Sequence, residues 1–118
     1  MLEKKGVDII HTSAGGVKVK NAVVTAGFEF NTIVYMGNGI KKHVQVPVIV
    51  VNQIQTPKRA DKIISSGLAD FVAIGRDMLT DAHWANKAKK GENIIYCIDC
   101  QPKCKRYVKA TSCPLFSE

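Results

Sequence analysis

The stretch "VPVIVVNQIQTPKRADKIISSGLADFVAIG", residues 46–75, holds two apolar runs separated by a polar segment. The first run, "VPVIVVN" (46–52), shows no alternation of polar and apolar residues, which is typical of a parallel strand covered on both faces. The second run, "ADFVAIG" (69–75), has the same character. Because two parallel strands need a crossover element between them, this stretch predicts a β-α-β unit.

The segment between the two runs has the signals of a helix. Thr56 is a suitable N-cap, Pro57 fits the first helical position and Gly67 is a suitable stop. The predicted buried stripe of this helix consists of Ala60, Ile63 and Ile64.

The residues before this unit predict one more strand and one more helix. "GVDIIHTS" (6–13) is apolar and rich in β-formers, so it predicts a buried strand. Within residues 14–45, "FEFNTIVYMGNGIKKHV" could form the crossover helix, although Gly37 and Gly39 each weaken a helix by about 1 kcal/mol.

The residues after the unit repeat the same pattern. "TDAHWANKAKKG" predicts a helix with Thr80 or Asp81 as its cap and Gly91 as its end, with Trp84 packed in the core. The order is then β-α-β-α-β-α, which indicates an α/β fold with a parallel sheet. Three strands are few for such a sheet, and they leave two edges unpaired.

All four cysteines lie close together near residue 100. Three of them fall within "CIDCQPKC" (97–104), and the spacing is Cys97-x2-Cys100-x3-Cys104-x8-Cys113. Such a close triplet followed by a fourth thiol, itself followed by proline, is typical of a [4Fe-4S] cluster. Zinc usually takes two separated pairs of cysteines, and zinc and free thiols remain alternatives.

Charge and composition leave several functions open. The chain of 118 residues carries a net charge of +7, and residues 87–109 have a local balance of +5. This basic segment could face nucleic acid, lie in solvent, or offset an anionic group held by four thiolates, although only two tyrosines there could stack on bases. The first ten residues do not resemble a signal peptide and no apolar run could span a bilayer, so we expect a cytoplasmic protein.

The segment "GLADFVAIGRDMLTDAHWANKAKKG" resembles the C-terminal end of the barrel in the NADH:flavin oxidoreductase family, the old yellow enzyme group. "GVDIIHTSAGG", "VPVIVVNQI" and "ADFVAIGR" resemble that family's sixth, seventh and eighth barrel strands. "CIDCQPKC" with Cys113 resembles the iron-sulfur segment of the branch that includes 2,4-dienoyl-CoA reductase and trimethylamine dehydrogenase, although the interval before Cys113 is shorter than usual. The resemblance implies a partial TIM (β/α)8 barrel over residues 1–93 and a cluster segment over residues 94–118.

The resemblance also implies cofactors and site residues. Gly75 and Arg76 match the family's contacts to the phosphate of FMN, and a glycine there lets the backbone approach a phosphate that arginine can clamp. Asn52 and Gln53, where the family usually has glycine, lie on the neighbouring turn and could donate to the same phosphate. The implied metal ligands are Cys97, Cys100, Cys104 and Cys113.

The family's first five strands, with its substrate-binding residues and usual proton donor, have no counterpart in this sequence, and we assign no catalytic residue. We therefore expect the chain to be part of an FMN- and [4Fe-4S]-dependent reductase of activated C=C bonds and to be inactive alone. We expect it to bind FMN weakly, and to use NAD(P)H only through the parts that it lacks. A complementary barrel chain or a second copy could supply those parts. The alternatives are a zinc-stapled basic module that binds nucleic acid or protein, and a degenerate remnant that aggregates through its open sheet edges.

Overall fold

The computed structural model describes residues 2–15, 23–101 and 104–115. It divides the chain into two compact units, Met1–Ile74 and Gly75–Glu118. The division falls at Gly75, earlier than residue 93, where the composition of the sequence changes.

The first unit contains the three predicted strands. They are β1 (Ile10–His11), β2 (Val48–Val51) and β3 (Phe71–Ala73). The sheet has the order β1-β2-β3 and every pairing is parallel, so the predicted α/β arrangement is confirmed for this unit. Each strand is shorter than its apolar run, because a residue counts as strand only where a neighbouring strand supplies hydrogen-bond partners.

The crossover between β1 and β2 is α1 (Thr32–Lys41). It begins at Asn31, whose side chain accepts hydrogen bonds from the N–H groups of Ile33 and Val34. The predicted helix therefore forms in spite of its two glycines. Gly37 is buried, and it lies where the helix comes closest to the sheet.

The crossover between β2 and β3 is α2 (Pro57–Ser65), and its predicted start and stop are confirmed. The Thr56 hydroxyl accepts from the N–H of Arg59 at 3.2 Å, as an N-cap does. Gly67 has a φ of +68°, a left-handed conformation that glycine adopts without a steric penalty.

The predicted buried stripe of α2 is partly wrong. Ala60 and Ile63 are buried, but Ile64 is 39% exposed. At about 100° per residue, Ile63 and Ile64 lie on opposite sides of Ala60 around the helix, and the side that carries Ile64 is the one left partly exposed.

In the second unit, the helix predicted within residues 80–91 is present, and a short helix that was not predicted precedes it. The short helix is α3 (Arg76–Thr80) and the predicted one is α4 (Trp84–Lys90). The chain is extended at Asp81, whose carboxylate accepts from the N–H of His83. The N-cap of α4 is His83, which makes no side-chain cap, so Asp81 does not occupy the predicted capping position. Thr80 ends α3, so the prediction that it caps a helix is wrong. Trp84 is buried, as predicted.

Gly91 ends α4 as predicted. It has a φ of +70°, and its N–H donates to the carbonyl of Ala88. Two short 3-10 turns follow, Lys105–Tyr107 and Ala110–Ser112. No helix in the described ranges is long and apolar enough to cross a bilayer.

The core of the first unit lies between its helices and β2. Val48 and Val50 of β2 are fully buried, and so are Val34 of α1 and Ile63 of α2. The buried apolar residues of this unit are Phe30, Ile33, Val34, Val48, Val50, Ile54, Ala60, Ile63 and Ala69.

One carboxylate ties three elements of the first unit together. Asp70, immediately before β3, accepts from Lys41 Nζ at 2.5 Å and from the N–H of Val48 at 2.9 Å. The hydrogen bond from Lys41 lowers the pKa of Asp70, and the bond from Val48 lowers it further, against the opposing effect of burial. Asp70 thus joins the end of α1 to the start of β2.

We expect an Asp70→Asn chain to be about 1 kcal/mol less stable than the wild type at pH 7, a modest value because the pair is partly exposed. The pKa of Asp70 is lower in the folded chain than its ordinary 3.8, so its contribution is complete above that value and is lost as the pH falls through the folded-state pKa. Urea unfolding at decreasing pH should therefore show the difference disappear in acid. Asp61→Asn, on the exposed face of α2, is the control, and a difference that persists unchanged in acid would contradict the assignment.

Candidate functional site

All four cysteines line one pocket of the second unit. They are present as free thiols. The other residues that line the pocket are Arg76, Leu79, Thr80, Ile98, Lys105, Arg106 and Leu115. The structure therefore brings together the four thiols that the spacing singles out.

The first of these cysteines is fixed to α3 by backbone hydrogen bonds. The N–H of Cys97 donates to Asp77 Oδ1 at 2.8 Å, and Asp77 is only 5% exposed. Two residues earlier, the N–H of Ile95 donates to Asp81 Oδ2 at 3.1 Å, and its carbonyl accepts from the Thr80 hydroxyl at 2.8 Å. The segment that leads into the cysteines is thus held at two points along one helix.

The sequence analysis missed these anchors. Asp77 and Asp81 stand four residues apart, which places both on one side of α3 and its end. This four-residue spacing is the one feature of the sequence that could have indicated the anchors. It does not distinguish them, because acidic residues with the same spacing are common on exposed helices. Asp81 also accepts from Lys87 Nζ at 2.6 Å, and this hydrogen bond is the main cause of its lowered pKa.

The sulfur of Cys97 lies in an environment of mixed charge. Burial raises the pKa of the Cys97 thiol, the positive charge of Arg76 opposes this, and Asp77 and the thiols of Cys104 and Cys100 add to the increase. The N–H of Asp99 donates to Cys97 Sγ at 3.4 Å. An N–H donor and a nearby cation are both suited to a sulfur that becomes a thiolate when it binds metal.

The other three cysteines are arranged around the two 3-10 turns. Cys104 immediately precedes the turn Lys105–Tyr107, and Cys113 immediately follows the turn Ala110–Ser112. Cys100, like these two, is half-buried. The short turns return the chain so that Cys113 reaches the same pocket as the triplet.

The described residues that line the pocket include three cations, Arg76, Lys105 and Arg106, and no carboxylate. Lys105 and Arg106, which the sequence places among the thiols, thus lie at the pocket, and the offset of thiolate charge stays a prediction. Lys103, which belongs to the same prediction, lies outside the described residues. Over residues 2–15, 23–101 and 104–115, no three His, Cys, Asp or Glu side chains are grouped as ligands of a single metal ion.

The residues predicted to bind the FMN phosphate lie in different units, and their joint role stays a prediction. Gly75 immediately precedes α3, and a Cβ there would meet nothing within 4 Å. The guanidinium of Arg76 forms an ion pair with Asp99. In the first unit, Asn52 and Gln53 follow β2 with φ values of +87° and +52°. Such values favour glycine, which is the residue that the resemblance places at this turn.

Comparisons with known proteins agree with these observations. Residues 2–94 match the model of the NADH:flavin oxidoreductase / NADH oxidase family. An NADH oxidase of Thermoanaerobacter brockii is 43% identical over 107 residues, which are 88% of this chain and 16% of that protein. A metal reductase of Desulforamulus reducens is 34% identical over 122 residues, covering 99% of this chain and 18% of the relative.

A bilirubin reductase of Mediterraneibacter gnavus is 31% identical over 134 residues, covering the whole chain and 20% of that protein. The chain thus spans a fifth or less of the length of these relatives. The alignments to the metal reductase and the bilirubin reductase extend beyond the family match and cover the cysteine segment.

Proposed function

The chain belongs to the NADH:flavin oxidoreductase / NADH oxidase family, and from this membership we propose that it is the part of a flavin-dependent reductase that closes the FMN-binding barrel and carries a [4Fe-4S] cluster. The reaction we propose for the whole protein is the reduction of an activated C=C bond with electrons from NAD(P)H. The names of two relatives, a bilirubin reductase and a cinnamate reductase, support a conjugated substrate.

The observation that carries this proposal is the pocket lined by Cys97, Cys100, Cys104 and Cys113. Four cysteine thiolates are the usual ligands of a [4Fe-4S] cluster, and each of them needs to reach only its own iron. A single zinc ion instead requires all its ligands to converge to about 2.3 Å from one point. The proposal of a cluster therefore rests on the four thiols at this pocket and on their spacing in the sequence.

The charges around the pocket support the same assignment. A cluster bound by four thiolates is anionic, and burying an uncompensated anion is costly. Arg76, Lys105 and Arg106 supply positive charge at the pocket, and the N–H of Asp99 supplies a donor to Cys97. The basic character of residues 87–109 then has a local purpose that does not require nucleic acid.

Each predicted cofactor residue has a role in this proposal. The four cysteines hold the cluster, which passes electrons one at a time, and Gly75, Arg76, Asn52 and Gln53 contribute to the FMN phosphate site. The catalytic and substrate-binding groups come from the remainder of the protein, either as further sequence of the same protein, as a complementary chain or as a second copy. The proposed setting is the cytoplasm.

The second candidate function is a zinc-stapled basic module that binds nucleic acid or protein. The observation that favours it is the local excess of positive charge beside four free thiols. It differs from the first proposal in its metal and in the salt dependence of its binding.

Anaerobic reconstitution of the full chain with iron and sulfide, in competition with zinc, tests the proposal. We expect about four irons per chain and a broad visible absorbance that bleaches on reduction with dithionite. The matched control is the same chain with its thiols alkylated beforehand, which should take up no iron. Stoichiometric zinc with no iron, together with salt-sensitive binding to DNA or RNA, would instead establish the second candidate.

A further inference from the structure

Arg76 is held at the cysteine pocket by a residue of the cysteine loop itself. It is the first residue of α3, and its guanidinium forms an ion pair with Asp99, which lies between Cys97 and Cys100. Its side chain is 31% exposed, so the charge is partly removed from solvent. The FMN phosphate role implied by the family does not account for this contact.

Two groups of positive character lie at the thiols, the guanidinium of Arg76 and the N–H of Asp99. Arg76 lines the pocket, whereas Asp99 is not among the described lining residues. Asp99 has a φ of +50°, and in this conformation its N–H donates to Cys97 Sγ. A cation and a backbone N–H are therefore both present beside the Cys97 sulfur.

We propose that Arg76 tunes the cluster bound in this pocket, raising its reduction potential by placing a fixed positive charge beside the thiolates. This inference rests on the proposed function, because it requires the cluster. Reduction adds one negative charge, and a nearby cation stabilises the reduced state more than the oxidised state. Partial burial matters here, because a fully exposed charge would be screened by water and salt.

Arg76 differs in its attachment from the two other cations at the pocket. Lys105 and Arg106 lie in a 3-10 turn of the loop, while Arg76 extends from α3, the helix that also anchors Cys97 through Asp77. The cation and the first ligand are thus positioned by the same element. A charge held in this way keeps its distance from the thiolates, which a flexible surface lysine does not.

The test compares Arg76→Met, Arg76→Lys and the wild type after reconstitution, without FMN so that a phosphate role has no influence. The midpoint potential is measured by anaerobic redox titration, and iron is counted in the same samples. We expect Arg76→Met to disfavour the reduced state roughly tenfold, about 59 mV for one electron, and Arg76→Lys to stay close to the wild type. Lys89→Met, which removes an exposed charge from α4, is the matched control and should not shift the potential.

The outcomes separate this inference from the proposed function. A wild-type chain that takes up no iron overturns both. An Arg76→Met chain that holds its full iron content at an unchanged potential overturns the tuning role and leaves the proposed function intact. Loss of iron in Arg76→Lys has the same effect, because it would indicate that Arg76 is needed as a structural contact. If Arg76→Met assembles no cluster, the potential of Arg76→Gln is measured in its place. If neither neutral variant takes up iron while Arg76→Lys does, the cluster requires a positive charge at position 76, which supports the inference.

Discussion

A Gly37→Ala chain should be about 2 kcal/mol less stable than the wild type, although alanine is the better helix former. A Cβ at position 37 would lie 2.9 Å from Thr12 Oγ1 and still closer to Val50 Cγ1. Real side chains essentially never approach so closely, so α1 or the sheet would have to move. Overpacking of this kind typically costs about 1–3 kcal/mol and outweighs the helix-propensity gain of about 1 kcal/mol.

The surrounding contacts leave little freedom for that movement. The Thr12 hydroxyl donates to the carbonyl of Ile49, and Val50 is fully buried in β2. At one end of α1 the Asn31 amide donates to the carbonyl of Asn52 at 2.5 Å, and the other end is tied to Asp70 through Lys41. A shift of the helix away from the sheet would therefore break polar contacts at both of its ends.

The same helix supplies a matched control for this prediction. Gly39 lies two residues further along α1, and a Cβ there would meet nothing within 4 Å. We expect Gly39→Ala to stabilise the chain by about 0.5–1 kcal/mol, because alanine loses less backbone entropy on folding. Urea unfolding of both variants measures the contrast, and equal stabilisation by the two substitutions would show that α1 packs further from β2 than described.

The parts of the fold that could be predicted from the sequence are those set by local chemistry. Thr56, Pro57 and Gly67 define the limits of α2 by capping and backbone conformation, which depend only on neighbouring residues. The unbroken apolar run of β2 predicts burial on both faces, and this is confirmed for one face only: Val48 and Val50 are fully buried, whereas Ile49 and Val51 are half-buried. The predicted burial of the other two strands is wrong, because β1 and β3 are half-buried to exposed.

The parts that could not be predicted depend on residues distant in sequence. In the sequence, Gly37 only lowers the helix propensity of α1. The structure shows that Val50 and Thr12 leave no room for a side chain at this position. Asp77 reads as an isolated acid, and only the fold shows that it accepts from Cys97, twenty residues away. Contacts of this kind, between residues distant in the chain, produce no periodic pattern in a single sequence from which they could be predicted.

The four cysteines of the pocket were named from the sequence, but the residues that hold them in place were not. The spacing from Cys97 to Cys113 is a pattern within one short segment, so all four lining thiols were named from the sequence. The ion pair between Arg76 and Asp99 was not anticipated, because Arg76 was interpreted only as a phosphate ligand. A residue that matches a family motif can thus acquire a second partner that the motif does not encode.

Replacing Cys113 with serine should abolish most of the iron binding of the reconstituted chain, from about four irons to a small fraction of that number. Cys113 is the proposed ligand most distant in sequence from the other three, and it immediately follows the turn Ala110–Ser112 at the pocket. A serine oxygen is a harder ligand than a thiolate and loses its proton far less readily, so it is a much poorer ligand in an iron-sulfur site.

Iron and sulfide analysis, with the visible spectrum, measures the effect of Cys113→Ser. Ser112→Ala is the control, because it alters the exposed neighbouring side chain and leaves all four thiols in place. The accessibility of the thiols gives an independent readout: alkylation should be blocked at all four cysteines in the loaded wild type and should reach the remaining three in Cys113→Ser. A Cys113→Ser chain that keeps the full iron content and an unaltered spectrum would remove Cys113 from the ligand set and leave the close triplet to be completed by another group.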